Sequence, residues 1–147
     1  MVTNRLLVRV VSAVHRALYR VSGGLLGANV GAPVLLLTTL GSKSKQSRTT
    51  PLLYLEEGDR WIVVASNAGD DRHPDWWPNL EANPVAPIHI KRRVSQVRAK
   101  EATEMERDSL WPLLVGMYSV YDDYQRQTSR KIPIVFLEPF SKRTVTE

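Results

Sequence analysis

Three short apolar segments lie between Pro33 and Ser66, parted by only a few polar residues each. Pro33–Thr39 is leucine- and threonine-rich and ends at Gly41. Thr49–Glu56 follows the polar loop Ser42–Gln46, and Trp61–Ser66 follows the turn Glu57-Gly58-Asp59. Each reads as a strand. Links this short join antiparallel neighbours, because a crossover between parallel strands needs a dozen residues or more. Antiparallel pairing is therefore set before the rest of the chain is considered.

The remainder keeps to it. Asn67–His73 is a polar loop. Trp76–Ala82 predicts a short helix with Asp75 at its N-cap, stopped by Asn83-Pro84. Ala86–Lys91 and Ser95–Glu101 read as a hairpin turning near Arg92-Arg93, with Ile88 and Ile90 alternating against Pro87, His89 and Lys91. Thr103-Glu104-Met105-Glu106 is a capping box opening a helix to about Tyr118, in which Pro112 predicts a kink or break. Tyr121–Ser129 is a second helical or irregular stretch, Pro133–Leu137 a last strand, and the residues after Phe140 a loose tail. Six strands and three or four helices with short links predict an α+β fold, a small antiparallel β-barrel with surrounding helices. The barrel domain is expected over 33–140.

Ahead of it, Asn4–Val21 has helical periodicity through Leu6, Leu7, Val10, Val14, Leu18 and Val21. At about 100° per residue, Arg5, Arg9, Arg16 and Arg20 fall on the opposite side. Residues 1–24 therefore predict a separate amphipathic basic helix, closed by Ser22-Gly23-Gly24. It either packs on the domain or lies on anionic lipid with its arginines at the headgroups. The net charge of +5 is concentrated here: residues 1–55 hold seven Lys/Arg and no acid, whereas the remainder holds 13 basic and 15 acidic side chains. An anionic partner for the first third follows. The chain has no cysteine, which excludes disulfide scaffolds, thiolate metal sites and a cysteine nucleophile. No apolar run is long enough to cross a bilayer, and no secretory leader is legible. The expected location is the cytoplasm.

His15, His73 and His89 are far apart and make no metal-ligand spacing, so no metal is expected. Gly41-Ser42-Lys43-Ser44-Lys45 lacks the second glycine of a nucleotide-binding P-loop. It still has the chemistry of an anion site: hydroxyls at Ser42, Ser44, Ser47, Thr49 and Thr50 beside the cations Lys43, Lys45 and Arg48. Trp76-Trp77 between Pro74 and Pro78 is either core or a wall for a planar ligand. Tyr118, Tyr121 and Tyr124 recur every third residue and share a broad face if helical. No nucleic-acid reading motif is present, and no nucleic-acid partner is expected.

In order along the chain, PVLLLTTLGSKSKQSRTTPLLYLEEGDRWIVVAS, HPDWWPNLEANP, WPLLVGMYSVYDDYQ and IPIVFLEP resemble the deazaflavin-dependent nitroreductase family. These are actinobacterial oxidoreductases that use coenzyme F420. The resemblance covers roughly residues 33–139 and implies a split β-barrel of the flavin-reductase, FMN-binding type. It implies that Ser42, Lys43, Ser44, Arg48, Thr49, Thr50, Pro51, Leu52 and Leu53 hold the cofactor's phosphate and its surroundings. Val64, Ala65, Ser66, Asn67, Asp75, Trp76, Trp77, Pro78 and Asn79 would line the deazaflavin. Tyr118, Tyr121 and Tyr124 would border the acceptor, with Tyr121 as proton donor or positioner and Ser66 as a hydrogen-bonding partner. Asn67 stands where similar proteins often carry lysine, and Trp77 where tyrosine is common.

The implied activity is hydride transfer from reduced F420 to a quinone or nitroaromatic acceptor. The basic N-terminal helix resembles that of membrane-associated members, which places the protein peripherally on the inner membrane face. An FMN-dependent reductase or oxidase on the same barrel is the alternative within enzymes. A non-catalytic deazaflavin carrier is the alternative outside them.

Overall fold

A computed structural model describes residues 32–141. The amphipathic helix expected over residues 1–24 and the end of the expected tail lie outside the described residues. The described residues form seven strands: β1 (Val34–Leu40), β2 (Ser47–Leu53), β3 (Leu55–Glu57), β4 (Arg60–Val64), β5 (Val85–Ile90), β6 (Arg93–Glu101) and β7 (Ile134–Pro139). The helices are α1 (Trp76–Ala82), α2 (Glu104–Met117) and α3 (Val120–Gln127), with a 3-10 turn at Asn67–Gly69.

The strands form one sheet in the order β2-β1-β5-β6-β7-β4-β3, and every pair is antiparallel. The expected strand Thr49–Glu56 is divided at Tyr54. β2 pairs with β1 at one edge, whereas β3 pairs with β4 at the other. The chain thus passes from one edge of the sheet to the opposite one within a single residue, which is possible only if the sheet curls on itself. The Tyr54 amide marks the passage by donating to the Pro33 carbonyl (3.1 Å). The six expected strands become seven, in a curled half-barrel with three helices.

Curling creates two apolar compartments. Inside lie Leu35, Leu37, Val63, Ala65, Ala86, Ile88, Val97, Val135 and Leu137, with Trp76, Trp77 and Leu80 of α1. Outside, Ile62, Val64, Ile134 and Phe136 pack against Leu110, Leu114, Tyr118, Tyr121 and Tyr124 of the α2–α3 region. β4 and β7 therefore alternate between two cores and read as continuous apolar runs. Arg60 also lies over the Phe136 ring, 3.9 Å from its centroid.

Local chemistry sets the links. Gly58 sits at φ 61° in the two-residue β3–β4 turn, a conformation that favours glycine. The capping box is formed: the Glu106 amide donates to Thr103 Oγ1 and the Thr103 amide to Glu106 Oε1. α2 runs through Pro112 and ends at Tyr118, whose extended backbone (φ −146°, ψ 95°) turns the chain into α3. The break expected at Pro112 thus falls six residues later. Asp75 occupies the N-cap of α1 but makes no side-chain cap bond.

Candidate cofactor-binding site

α1 closes one end of the barrel. Its register position is held by the end of β1, where Asn79 is buried and uses both ends of its amide. Asn79 Nδ2 donates to Thr39 Oγ1 (3.3 Å), and Oδ1 accepts from the Ser42 amide (3.1 Å). The β1–β2 loop is closed by the Gly41 amide on the Gln46 carbonyl and the Lys45 amide on the Gly41 carbonyl (2.9 Å each). Lys45 takes φ 57° to make this turn. The result is a cleft of ≈ 390 Å³ lined by Gly41, Ser42, Lys43, Ser44, Arg48, Asp75, Pro78 and Asn79. Lys43 and Arg48 are exposed and form no ion pair among the described residues. A pinned loop offering these two cations and several hydroxyls has the donor chemistry of an anion site.

The register of β2 sorts the remaining residues. Arg48, Thr50 and Leu52 oppose Thr39, Leu37 and Leu35 and share the inner face. Thr49, Pro51 and Leu53 oppose Thr38, Leu36 and Val34 and share the outer face, where Thr38 and Thr49 hydroxyls meet at 2.9 Å. Val64 belongs to the outer compartment and Ala65 to the inner one. Trp76 and Trp77 pack edge to face, ring centroids 6.4 Å apart, at 4 % and 6 % exposure. They fill the barrel end.

The three tyrosines converge without sharing a helix. Tyr118 caps α2, whereas Tyr121 and Tyr124 lie on α3. The corner at Tyr118–Ser119 brings the rings of Tyr118 and Tyr121 to 5.0 Å, edge to face, and those of Tyr118 and Tyr124 to 6.4 Å. All three are buried. Burial pushes the Tyr121 phenol well above its ordinary range, and burial with the Tyr124 hydroxyl beside it does the same for Tyr118. Both stay protonated at neutral pH and can donate a hydrogen bond. Trp111 Nε1 donates to Asp122 Oδ1 (2.9 Å), and Arg107 Nη2 to Gln125 Oε1 (2.8 Å), fixing α2 against α3.

Between cleft and tyrosines runs the loop after β4. Ser66 is half-buried, and Asn67 is exposed at φ 44° with Nδ2 donating to the Arg72 carbonyl (2.9 Å). Asn67, Asp70, Arg72, His73, Pro74 and Asp75 surround a smaller cleft of ≈ 220 Å³. Gly69, at φ 79°, lies where a Cβ would come within 2.7 Å of Gln127 Oε1 and 3.0 Å of Tyr124 Cα, so the loop packs directly on α3.

Arg130 braces the loop from behind. Its Nε donates to the Asp70 carbonyl (2.8 Å), Nη2 to the Ser66 carbonyl (2.8 Å), and Nη1 to the Ala65 carbonyl (3.2 Å). Nη1 also meets His73 Nδ1 (3.1 Å). A guanidinium can only donate, so Nδ1 is the accepting nitrogen of that ring. Nothing in the sequence around Arg130 announces this role, because its partners lie nearly sixty or more positions earlier in the chain.

Comparison with known proteins decides the family. Residues 11–139 match the family model described as F420H(2)-dependent quinone reductase. The chain belongs to this family. An F420H(2)-dependent quinone reductase of Mycobacterium tuberculosis is 41 % identical over 128 residues, covering 84 % of this chain and 86 % of that protein. A solved F420-H2 dependent reductase is 38 % identical with a TM-score of 0.66, covering 72 % of this chain and 94 % of that one. The haem-storage protein HutZ of Vibrio cholerae, 12 % identical with a TM-score of 0.57 over 83 % of this chain and 92 % of that one, shares the fold alone.

The cofactor of this family carries a phosphodiester and carboxylates at one end and a flat deazaflavin at the other. The pinned cationic cleft fits the first part by charge and by donor type. Ser42, Lys43, Ser44 and Arg48 line that cleft, with Ser44 Oγ accepting from the Gln46 amide, and Asn79 holds the loop that carries them. Trp76 and Trp77 are committed to the core and give the end of the barrel its rigidity. The loop Ala65–Asn67, held by Arg130, is the backbone that connects the anion cleft to the tyrosines.

Proposed function

We propose that this protein is an F420H2-dependent quinone reductase, with its cofactor anchored at the β1–β2 loop and its acceptor bordered by the tyrosine corner. The observation that carries this reading is the loop pinned by Asn79 beside two unpaired cations, in a chain of this family. Reduced F420, when bound, supplies the hydride. The protein's own residues bind and orient. Lys43 and Arg48 hold the anionic end, with Ser42, Ser44 and Thr50 as hydroxyl donors near them, while Thr49 faces the other side of β2 and meets Thr38. The backbone of Val64, Ala65, Ser66 and Asn67 and the segment Asp75–Asn79 set the position of the ring, with Pro51 and Leu53, on the tyrosine side of β2, as apolar neighbours, while Leu52 packs into the inner core. Orientation of this kind can supply most of what a hydride transfer requires.

Tyr121 holds its proton firmly, because burial raises its pKa. A phenol of that kind serves better as a hydrogen-bond donor to a developing oxyanion than as a full proton donor. Tyr121→Phe keeps the ring and removes the donor. Turnover is expected to fall about 10²-fold with little change in cofactor affinity. Equal turnover would leave Tyr121 as packing.

The quinone reading is tested by anaerobic oxidation of reduced F420 with a menaquinone analogue beside a nitroaromatic. Faster oxidation by the quinone is expected, and absence of turnover with either would leave a carrier. The family description names F420H(2), which favours F420 over FMN. Residues 1–24 are read as a separate amphipathic segment that holds the barrel domain, 33–140, reversibly on the inner membrane face. Four arginines contribute about 1 kcal/mol each at an anionic surface. The full chain should pellet with anionic vesicles, and less so at high salt. A supernatant at low salt would remove the membrane reading.

A further inference from the structure

The end of the barrel away from α1 has no helix over it among the described residues. Tyr54, Trp61 and Ile90 line a cleft of ≈ 480 Å³ there, with Glu56 and Ser95 on its wall and Lys91, Arg92 and Arg93 at its rim. The cleft is larger than the one beside the β1–β2 loop and lies in the size range of small-molecule sites. β1 separates the two, and its seven residues span about 20 Å. No residue lines both clefts.

Three observations define what such a mouth can take. Tyr54 is 8 % exposed with its ring in the inner core, and its hydroxyl has no hydrogen-bond partner among the described residues. Trp61 and Ile90 are only partly buried against that core. They leave an apolar, aromatic surface facing the cleft. Lys91, Arg92 and Arg93 form no ion pair among the described residues, and Glu56 is the single acid in the lining. The segments outside residues 32–141 contain one acid, Glu147, against six Lys/Arg.

We propose that the barrel mouth is a second ligand site, distinct from the cofactor cleft, for a flat aromatic molecule bearing a carboxylate. The ring lies against Trp61, Tyr54 and Ile90, where planar apolar surface is matched. The carboxylate meets Arg92 and Arg93 at the rim, since guanidinium and carboxylate pair through parallel hydrogen bonds. The Tyr54 hydroxyl donates to a polar edge of the ligand. Nothing in this assignment depends on the reductase activity.

The test is titration of the full chain with 2-naphthoate, followed through the indole N–H resonance of Trp61 by heteronuclear NMR. 2-Naphthamide supplies the ring without the charge, and inorganic phosphate the charge without the ring. Saturable movement of Trp61 is expected with naphthoate at millimolar concentration, with binding at least tenfold weaker for each of the other two. Arg92→Glu with Arg93→Glu, both at exposed positions, should weaken naphthoate at least tenfold. Tyr54→Phe should weaken it severalfold. Lys43→Ala with Arg48→Ala should leave it unchanged, which separates this site from the cofactor cleft. A Trp61 resonance that stays still, equal binding of naphthamide, or loss of binding in the Lys43/Arg48 pair would each overturn the proposal. So would movement of Trp61 on raising protein concentration alone, which would assign the mouth to a second copy of the chain.

Discussion

The two ends of the barrel are built from similar materials and finished differently. At the α1 end the inward positions are small or short: Thr39, Ala65 and Ala86. The space they leave is filled by Trp76, Trp77 and Leu80, and the cations stand outside on a loop. At the other end the strands themselves supply the bulk through Tyr54, Trp61 and Ile90, no described helix residue lines the cleft beside them, and Lys91, Arg92 and Arg93 line that same cleft. A filled end offers an anion a rigid edge to bind against. An end without a plug offers an aromatic ring a floor. Tryptophan and arginine thus stand at both ends, in the core and on a loop where a helix fills the barrel, and beside one open cleft where none does.

The sharpest way to break this comparison is to empty the filled end. Trp77→Ala removes a side chain that is 6 % exposed from the inner core. It should cost about 3–5 kcal/mol of stability. Trp61→Ala at the mouth should cost less than half as much, because Trp61 is only partly buried. Denaturant unfolding measures both. Equal losses would mean that the two ends are packed alike.

Asn79 is the next lever, because it ties the plug to the loop. Asn79→Ala leaves Thr39 Oγ1 and the Ser42 amide without their present partner. Loss of such buried or half-buried bonds should cost about 1–3 kcal/mol and should weaken F420 binding by loosening Ser42 and Lys43. Thermal melts with and without F420 separate the two effects. A destabilised protein that binds F420 with unchanged affinity would show that the loop holds its shape without α1.

How much of this was legible in the sequence depends on how local each device is. α1 has the bounds that Pro74, Asp75 and Asn83-Pro84 implied, and Thr103 with Glu106 caps α2 as their spacing implied. These are decided within four residues. The division of Thr49–Glu56 at Tyr54 was not legible, because inward and outward residues keep alternating across it while the pairing partner changes. The tyrosine spacing gives one shared face only within a single helix; the extended backbone of Tyr118 ends α2 there, Tyr121 and Tyr124 lie on α3, and the three rings meet across the corner. Asn79 was expected to line the deazaflavin; in the structure its amide bonds Thr39 and the Ser42 amide and so holds the β1–β2 loop. Arg130 left no local signal of its bracing role, since all the partners of its guanidinium lie in residues 65–73. Short-range chemistry reads from sequence, whereas pairing choice and remote bracing are settled by the closed sheet.

A double change at the anion loop tests the cationic half of the comparison. Lys43→Ala with Arg48→Ala removes two charges that have no ion-pair partner among the described residues, so stability should stay within about 0.5 kcal/mol. Charge-assisted hydrogen bonds to a phosphate belong to the stronger class, and losing two should weaken F420 binding on the order of tenfold. Titration followed by F420 fluorescence reads the affinity. An unchanged dissociation constant in the folded double variant would move the anion site elsewhere.

The smallest expected effect is also the one that sets two physical terms against each other. Asn67 occupies the position where the resembling proteins often have lysine. Here it takes φ 44° and bonds the Arg72 carbonyl. Asparagine tolerates the left-handed region better than lysine does, so Asn67→Lys should lower stability by about 1 kcal/mol through backbone strain and the lost bond. The new ammonium, however, lies on the same side of the barrel as Lys43 and Arg48, on a loop that reaches Asp75 in the lining of both clefts at that end. An exposed charge near an anionic ligand contributes a fraction of a kcal/mol at moderate salt, so F420 should bind about two- to fivefold more tightly. The gain should fade as salt is raised, while the loss in melting temperature should persist, because strain is not screened. Tighter binding that survives high salt would mean that the lysine makes a direct hydrogen bond instead of acting through its field. No change in affinity at any salt would show that this loop does not face the anionic end of the cofactor, and that the filled end of the barrel binds through the β1–β2 loop alone.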